Sequence, residues 1–156
     1  MTTGTVPPGP EEFLIPQGDD ETLGFWEGTA AGELRVQACG ACGAFRFPPR
    51  VMCPNCQSTE RLWRRVAGTG RIWSYVVAHP PLLPAYAPFA PFPVITVTLS
   101  EDPALRMVGN LVSGPEGAIN EIDPATIVIG EPVRVVFSAR RRPDGDLVFL
   151  PAWTRA

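Results

Sequence analysis

The chain has 156 residues, enough for one domain or a domain with a small module attached, and its 45% hydrophobic content can fill an ordinary core. Thirteen basic residues, all arginine, against sixteen acidic ones give a formal charge of −3, which argues against a general polyanion binder. No stretch approaches the roughly 20 apolar residues of a membrane helix, and MTTGTVPPGPEE lacks the basic-then-apolar layout of a secretory leader, so a cytoplasmic protein with no membrane partner is expected.

Nineteen prolines and fifteen glycines predict short strands and many turns. Residues 1–18 read as a Pro- and Gly-containing arm, expected to be mobile in isolation. In DDETLGFWEGTAAG, Asp19 or Asp20 is a candidate helix cap, Leu23, Phe25 and Trp26 give the helix an apolar side, and Gly32 is a plausible stop. ELRVQAC follows as an alternating strand with Leu34 and Val36 on one face.

That strand runs into CGACGAFRFPPRVMCPNC, which holds every cysteine of the chain: Cys39, Cys42, Cys53 and Cys56, spaced C-x2-C-x10-C-x2-C. Two residues between paired thiols let a tight turn aim both sulfurs at one point. Four thiolates at one point fit tetrahedral Zn(II). Iron in a rubredoxin-like site is the main competitor, because the same geometry accepts both metals. Two disulfides are disfavoured in a reducing compartment, and a thioredoxin-like redox pair needs one C-x-x-C rather than two. Four protein ligands leave no open position for water or substrate, so the metal is expected to be structural.

TERLWRRVA reads as the strand returning from this ribbon. Beyond Gly68 come GTGRIWSYVVAH, VITVTLS, RMVGNLVS, EPVRVVFSAR and DLVFLPAW, all strand-like, with RRPDG as the hairpin turn between the last two and one short helical turn within INEIDPATIVIG. Five strands and a short helix are the inventory of an OB-fold barrel, although a sandwich fragment would show similar strands. The expected fold is mainly β: residues 1–32 as arm and helix, 33–67 as zinc ribbon and 68–156 as OB-fold.

The connection PPLLPAYAPFAPFP carries six prolines, at positions 80, 81, 84, 88, 91 and 93, with Leu82, Leu83, Tyr86, Phe89 and Phe92 among them. Proline stiffens the segment, so its apolar groups are presented at little entropic cost. It is either a lid over one end of the barrel or an interaction surface.

FWEGTAAGELRVQACGACGAFRFPPRVMCPNC, GTGRIWSY and IGEPVRVVF together resemble the family first catalogued as domain of unknown function 35, over about residues 20–153 and in the same order. The FxFPPRxxCPxC stretch is the most specific part. The resemblance implies a helical N-terminus, a rubredoxin-like zinc ribbon and a C-terminal OB-fold. It also implies a small accessory subunit of a thiolase-like enzyme acting on acyl-CoA, in particular the lipid-transfer-protein type of aldolase that cleaves steroid side-chain CoA thioesters by retro-aldol chemistry, with the catalytic residues and most substrate contacts in the partner.

The residues themselves are compatible with a passive role. There is no G-x-S-x-G elbow or H-E-x-x-H motif. The one histidine, His79, ends the first barrel strand beside the proline-rich loop and is expected to face a shared active site at most as an orienting group. No catalytic residue is assigned. Leu83, Tyr86, Phe89 and Phe92 are the candidate partner anchors, and Arg64, Arg65 and Arg71 are candidate contacts for CoA phosphates. The alternatives are an acyl-CoA carrier for another thiolase-fold synthase or acyltransferase, an iron-based electron carrier, and a single-strand nucleic-acid binder using Trp73 and Tyr75 as stacking platforms. The charge balance and the absence of lysine speak against the last.

Overall fold

The computed structural model describes residues 14–156, in which one α-helix and eight β-strands form two antiparallel sheets. Of the N-terminal arm, residues 1–13 lie outside the described residues.

Helix α1 spans Leu23–Ala30. Its cap differs from expectation. The N-cap is Thr22, which makes no side-chain cap bond. The Asp19 carboxylate instead accepts from the Thr22 backbone N–H at 2.9 Å and from its hydroxyl at 2.7 Å, closing the turn that precedes the helix. Gly32, at φ +72°, is the left-handed residue that ends the segment.

The helix buries Gly24, Phe25, Gly28 and Thr29. Gly24 lies against the face of the Trp63 ring, where a Cβ would overlap the indole, and Gly28 lies against the Arg35 side chain. The two bare positions let helix and ribbon approach closely. Gly24→Val is therefore expected to push α1 off the ribbon, cost about 1–3 kcal/mol and lower the melting temperature by several degrees in a thermal scan.

The first sheet contains β1 (Leu34–Cys39), β2 (Phe45–Arg46) and β3 (Arg61–Val66), in the order β2-β1-β3. Leu34, Val36 and Ala38 alternate onto one buried face, as the pattern predicts.

The second sheet contains β4 (Thr69–Ala78), β5 (Phe92–Leu99), β6 (Arg106–Asn110), β7 (Pro132–Arg141) and β8 (Leu147–Arg155), in the order β6-β5-β4-β7-β8. Its two edges meet at one parallel bridge, Leu111 to Trp153, where the Val112 N–H donates to the Trp153 carbonyl at 2.8 Å. The result is a partly open five-stranded barrel of the OB kind. The segment before β7 supplies one 3-10 turn, Pro124–Thr126, with Asp123 accepting from the Ala125 N–H. In the β7–β8 hairpin, Gly145 takes φ +94° at the turn.

The sheets share one core. It runs from Phe25 through Leu34, Val36 and Val66 to Ile72, Ile95, Val97, Val133 and Trp153. Gly68 joins them, with φ +72° and the Val135 side chain where a Cβ would stand.

Candidate functional site

The two C-x-x-C segments are the same turn used twice. In the first, the Gly43 N–H donates to the Cys39 carbonyl at 3.0 Å, with Gly43 at φ +77°. In the second, the Gln57 N–H donates to the Cys53 carbonyl at 2.9 Å, with Gln57 at φ +63°. Gln57 holds a left-handed conformation that glycine takes in the first turn, a sign that something outside local preference fixes the geometry. The FPPR stretch is tied down by the Arg50 N–H, which donates to the buried Gln37 side chain at 2.8 Å.

All four cysteines are free, and their sulfurs lie within 4.8 Å of one another. Cys39 and Cys56 are 3.5 Å apart, and Cys42 and Cys53 are 3.7 Å apart. A tetrahedron with metal–sulfur bonds near 2.3 Å has edges of about 3.8 Å, so the residues fit such a centre and not a pair of disulfides. Cys39 and Cys53 are buried, while Cys42 and Cys56 face outward.

The thiols are unequal. The Asn55 side-chain amide, followed by the Ala44 backbone N–H, draws Cys42 down to about 6. The Ser58 N–H pulls Cys56 in the same direction, but the neighbouring sulfurs, that of Cys39 first, prevail and push it up to about 12. Thiolates this close repel, so all four ionise together only around a cation. The sign for metal binding follows. A thiolate with a lowered value favours the bound state above that value and loses the advantage as pH falls through it. Metal affinity is therefore expected to fall as pH drops from 7 through 6 to 5, by about tenfold per pH unit for each thiol that takes a proton on release. A chelator-competition titration across that range measures it.

The proline-rich loop is partly packed, with the Tyr86 ring against that of Phe92. Leu82, Ala85, Tyr86, Phe89 and Ala90 are half-buried, with a 3-10 turn at Ala87–Phe89. Leu83 is 59% exposed and His79 is exposed at the end of β4. Phe92 departs from the expected anchor set. It is the first residue of β5, only 7% exposed, and its ring lies 6.3 Å from that of Tyr86. It forms the floor on which Tyr86 rests, because the strand begins inside the proline-rich run.

The three arginines proposed for phosphates do not converge. Arg64 and Arg65 are neighbours on β3 and point to opposite faces. Arg65 lies 3.5 Å from Glu33, and the Arg64 guanidinium lies 5.9 Å from the Phe45 ring centre. Arg71 belongs to the other sheet, where its Nη1 donates to the Gly130 carbonyl at 2.9 Å. Trp73 is 52% exposed, whereas Tyr75 is half-buried and packs against the core. Arg106, which no motif marks, places its guanidinium 3.9 Å from the Trp73 ring centre. Among the described residues no helix is long and apolar enough to cross a membrane.

Residues 26–60 match the family model described as the rubredoxin-like zinc ribbon domain of ChsH2, and residues 63–138 match that of its C-terminal OB-fold domain. The chain is 40% identical over 110 residues to a probable enoyl-CoA hydratase alpha subunit of Thermomonospora curvata, matching 70% of this chain and 31% of that protein. It is 34% identical over 128 residues to the 3-oxo-4,17-pregnadiene-20-carboxyl-CoA hydratase alpha subunit of Mycobacterium tuberculosis, matching 82% of this chain and 37% of that one. The chain thus spans about a third of the length of these two relatives. A DUF35 domain-containing scaffold protein of Methanothermobacter thermautotrophicus is 33% identical over 114 residues, which cover 72% of this chain and 77% of the relative. Among solved structures, a chain of the Ltp2-ChsH2(DUF35) aldolase superposes with a TM-score of 0.73 at 33% identity, covering 90% of this chain and 98% of that one. With the four-cysteine ribbon and partly open barrel in the same order, the chain belongs to the DUF35 family, the zinc-ribbon and OB-fold proteins to which the ChsH2 domains also belong.

Proposed function

We propose that the chain is a non-catalytic subunit that binds a thiolase-like aldolase and supports retro-aldol cleavage of an acyl-CoA thioester, a steroid side-chain intermediate. The observation that carries this reading is the match over 98% of a chain of a two-component aldolase. The chain's own inventory supports it. His79 is exposed at a strand end, and the four cysteines form one cluster suited to metal. A self-contained catalyst needs a nucleophile, a base and an enclosing pocket in one place.

In this reading Cys39, Cys42, Cys53 and Cys56 hold Zn(II). The ion supplies folding energy and a fixed ribbon, since four protein ligands complete its tetrahedron. The loop around Leu83, Tyr86 and Phe89 meets the partner, and His79 lies beside that contact. The protein works in the cytoplasm, where thiolates persist.

The hydratase alpha subunits favour a second reading, in which the same module serves an acyl-CoA hydratase. Co-expression with a thiolase-like aldolase and, separately, with a hydratase subunit tests the choice. A stable complex with the aldolase on size-exclusion chromatography is expected. A complex with the hydratase alone would replace the first reading by the second.

A further inference from the structure

A buried cation lies in the ribbon with most of its donors unused. Arg46, on the two-residue strand β2, is 3% exposed. Among the described residues no carboxylate lies within ion-pair distance of it, and its Nε and Nη1 have no hydrogen-bond partner. Its Nη2 donates to the Glu60 carbonyl at 3.3 Å. A buried ion without compensation forfeits its hydration for nothing in return. A guanidinium in that state calls for a negative charge that the carboxylates of the chain do not supply.

The strand register shows where such a charge is. Arg46 lies opposite Gln37 of β1, so the two share a face of the sheet. Cys39, two residues further along β1, projects to the same face. The Glu60 carbonyl that holds Arg46 also accepts from the Gly40 N–H at 3.0 Å, so the guanidinium reaches the residue next to Cys39. Gln37 is itself fully buried, and its Nε2 likewise has no partner. The idle nitrogens of both side chains thus belong to the face that carries the first thiol.

A divalent ion with four thiolates carries an excess of two negative charges. Cys39 and Cys53, both 0% exposed, keep two of the sulfurs out of reach of water. Between Cys39 and Cys56 the sequence holds Arg46 and Arg50 and no acidic residue. Arg50 is exposed and screened by solvent, which leaves Arg46 as the fixed, buried charge of this stretch.

We propose that Arg46 is the built-in counter-charge of the metal–tetrathiolate centre, with the Gln37 amide opposite it: a positioning residue that raises metal affinity and sets the potential of a redox-active ion held there. This deepens the metal assignment above and rests on it.

The test compares the full chain with its Arg46→Gln, Arg46→Lys and Arg50→Gln variants, each loaded with zinc and titrated against a competing chelator at fixed pH. Arg46→Gln is expected to bind zinc at least about tenfold more weakly, the range in which outer-shell changes act. Arg46→Lys keeps the charge and is expected to recover most of that loss. Arg50→Gln removes the same charge from solvent and is expected to stay within about twofold of wild type. Lost packing also weakens a metal site, so the second readout is the reduction potential of the iron-substituted chains, since four thiolates hold iron as well. Reduction adds a negative charge, which a nearby buried cation favours. Arg46→Gln is therefore expected to move the potential negative by about 59 mV, a tenfold change for one electron, whereas lost packing alone leaves it in place. Arg46→Met, apolar and unbranched, replaces Arg46→Gln if the latter fails to fold. Zinc affinity or potential unchanged in the neutral variant would overturn the proposal. Equal losses in Arg46→Lys and Arg46→Gln would assign Arg46 to packing, as would failure of both neutral variants to fold with metal, and either result contradicts the proposal. Zinc content of the wild-type chain is measured first. A metal-free wild type refutes the metal assignment, whereas a loaded wild type with unmoved variants refutes only the role of Arg46.

Discussion

Cys53→Ser is expected to abolish the metal and most of the soluble, folded protein. Cys53 is fully buried at the second turn, and its backbone carbonyl and N–H both close that turn. Apparent free energies of structural zinc in small ribbons are about 10–16 kcal/mol, larger than the roughly 5–15 kcal/mol that holds a whole domain folded. Loss of one thiolate therefore threatens the ribbon, and through Leu34, Val36 and Val66 the core it shares with the barrel. Elemental analysis is expected to give one zinc per wild-type chain and none in the variant, with a collapse of cooperative melting. Cys42→Ser, at an exposed position, is expected to be milder and to leave a weakened site. A wild-type protein that is folded and metal-free would refute the zinc assignment. A red, iron-containing protein would select the competing metal.

The second large effect concerns the loop. Changing Tyr86 and Phe89 together to alanine is expected to cost at least about 2 kcal/mol of partner affinity, because aromatic anchors dominate most interfaces. Both side chains are half-buried, so the variant also removes loop packing. Leu83→Ala separates the two effects. Leu83 projects outward and is 59% exposed, so its truncation is expected to weaken the complex while leaving the melting temperature unchanged. Phe92→Ala is expected to do the opposite and destabilise the free chain by about 3–5 kcal/mol, as its ring lies in the barrel wall beneath Tyr86. Surface plasmon resonance against the purified partner, beside thermal melts, checks all three. Full affinity in the double variant would remove this loop from the interface.

The parts of this structure written locally were legible in the residues. Cysteine spacing dictated the cluster because each C-x-x-C pair closes within its own turn. The barrel strands were legible because one buried face imposes period two, as Ile95, Val97 and Leu99 show on β5. Gly32 and Gly145 marked backbone positions with positive φ. The misplaced features depend on choices between near-equal local options or on register. Asp19 was a plausible cap, but its carboxylate closes a turn with Thr22 that lies outside the helix. Phe92 was hidden because prolines on both sides disguise the start of a strand. Pro93 is tolerated there, opposite Val77. The pairing of Arg46 with Gln37 joins two strands across the first C-x-x-C turn, and the outward turn of Trp73 depends on a bulge. Neither has a signature in one strand alone.

The most direct measurement is reconstituted retro-aldol cleavage of a steroid side-chain β-hydroxyacyl-CoA, using a purified thiolase-like aldolase with and without this chain. The account predicts that cleavage requires both proteins, saturates at a fixed ratio of the two, and survives His79→Ala with most of its rate. Full cleavage by the aldolase alone, or cleavage by this chain alone, would contradict it.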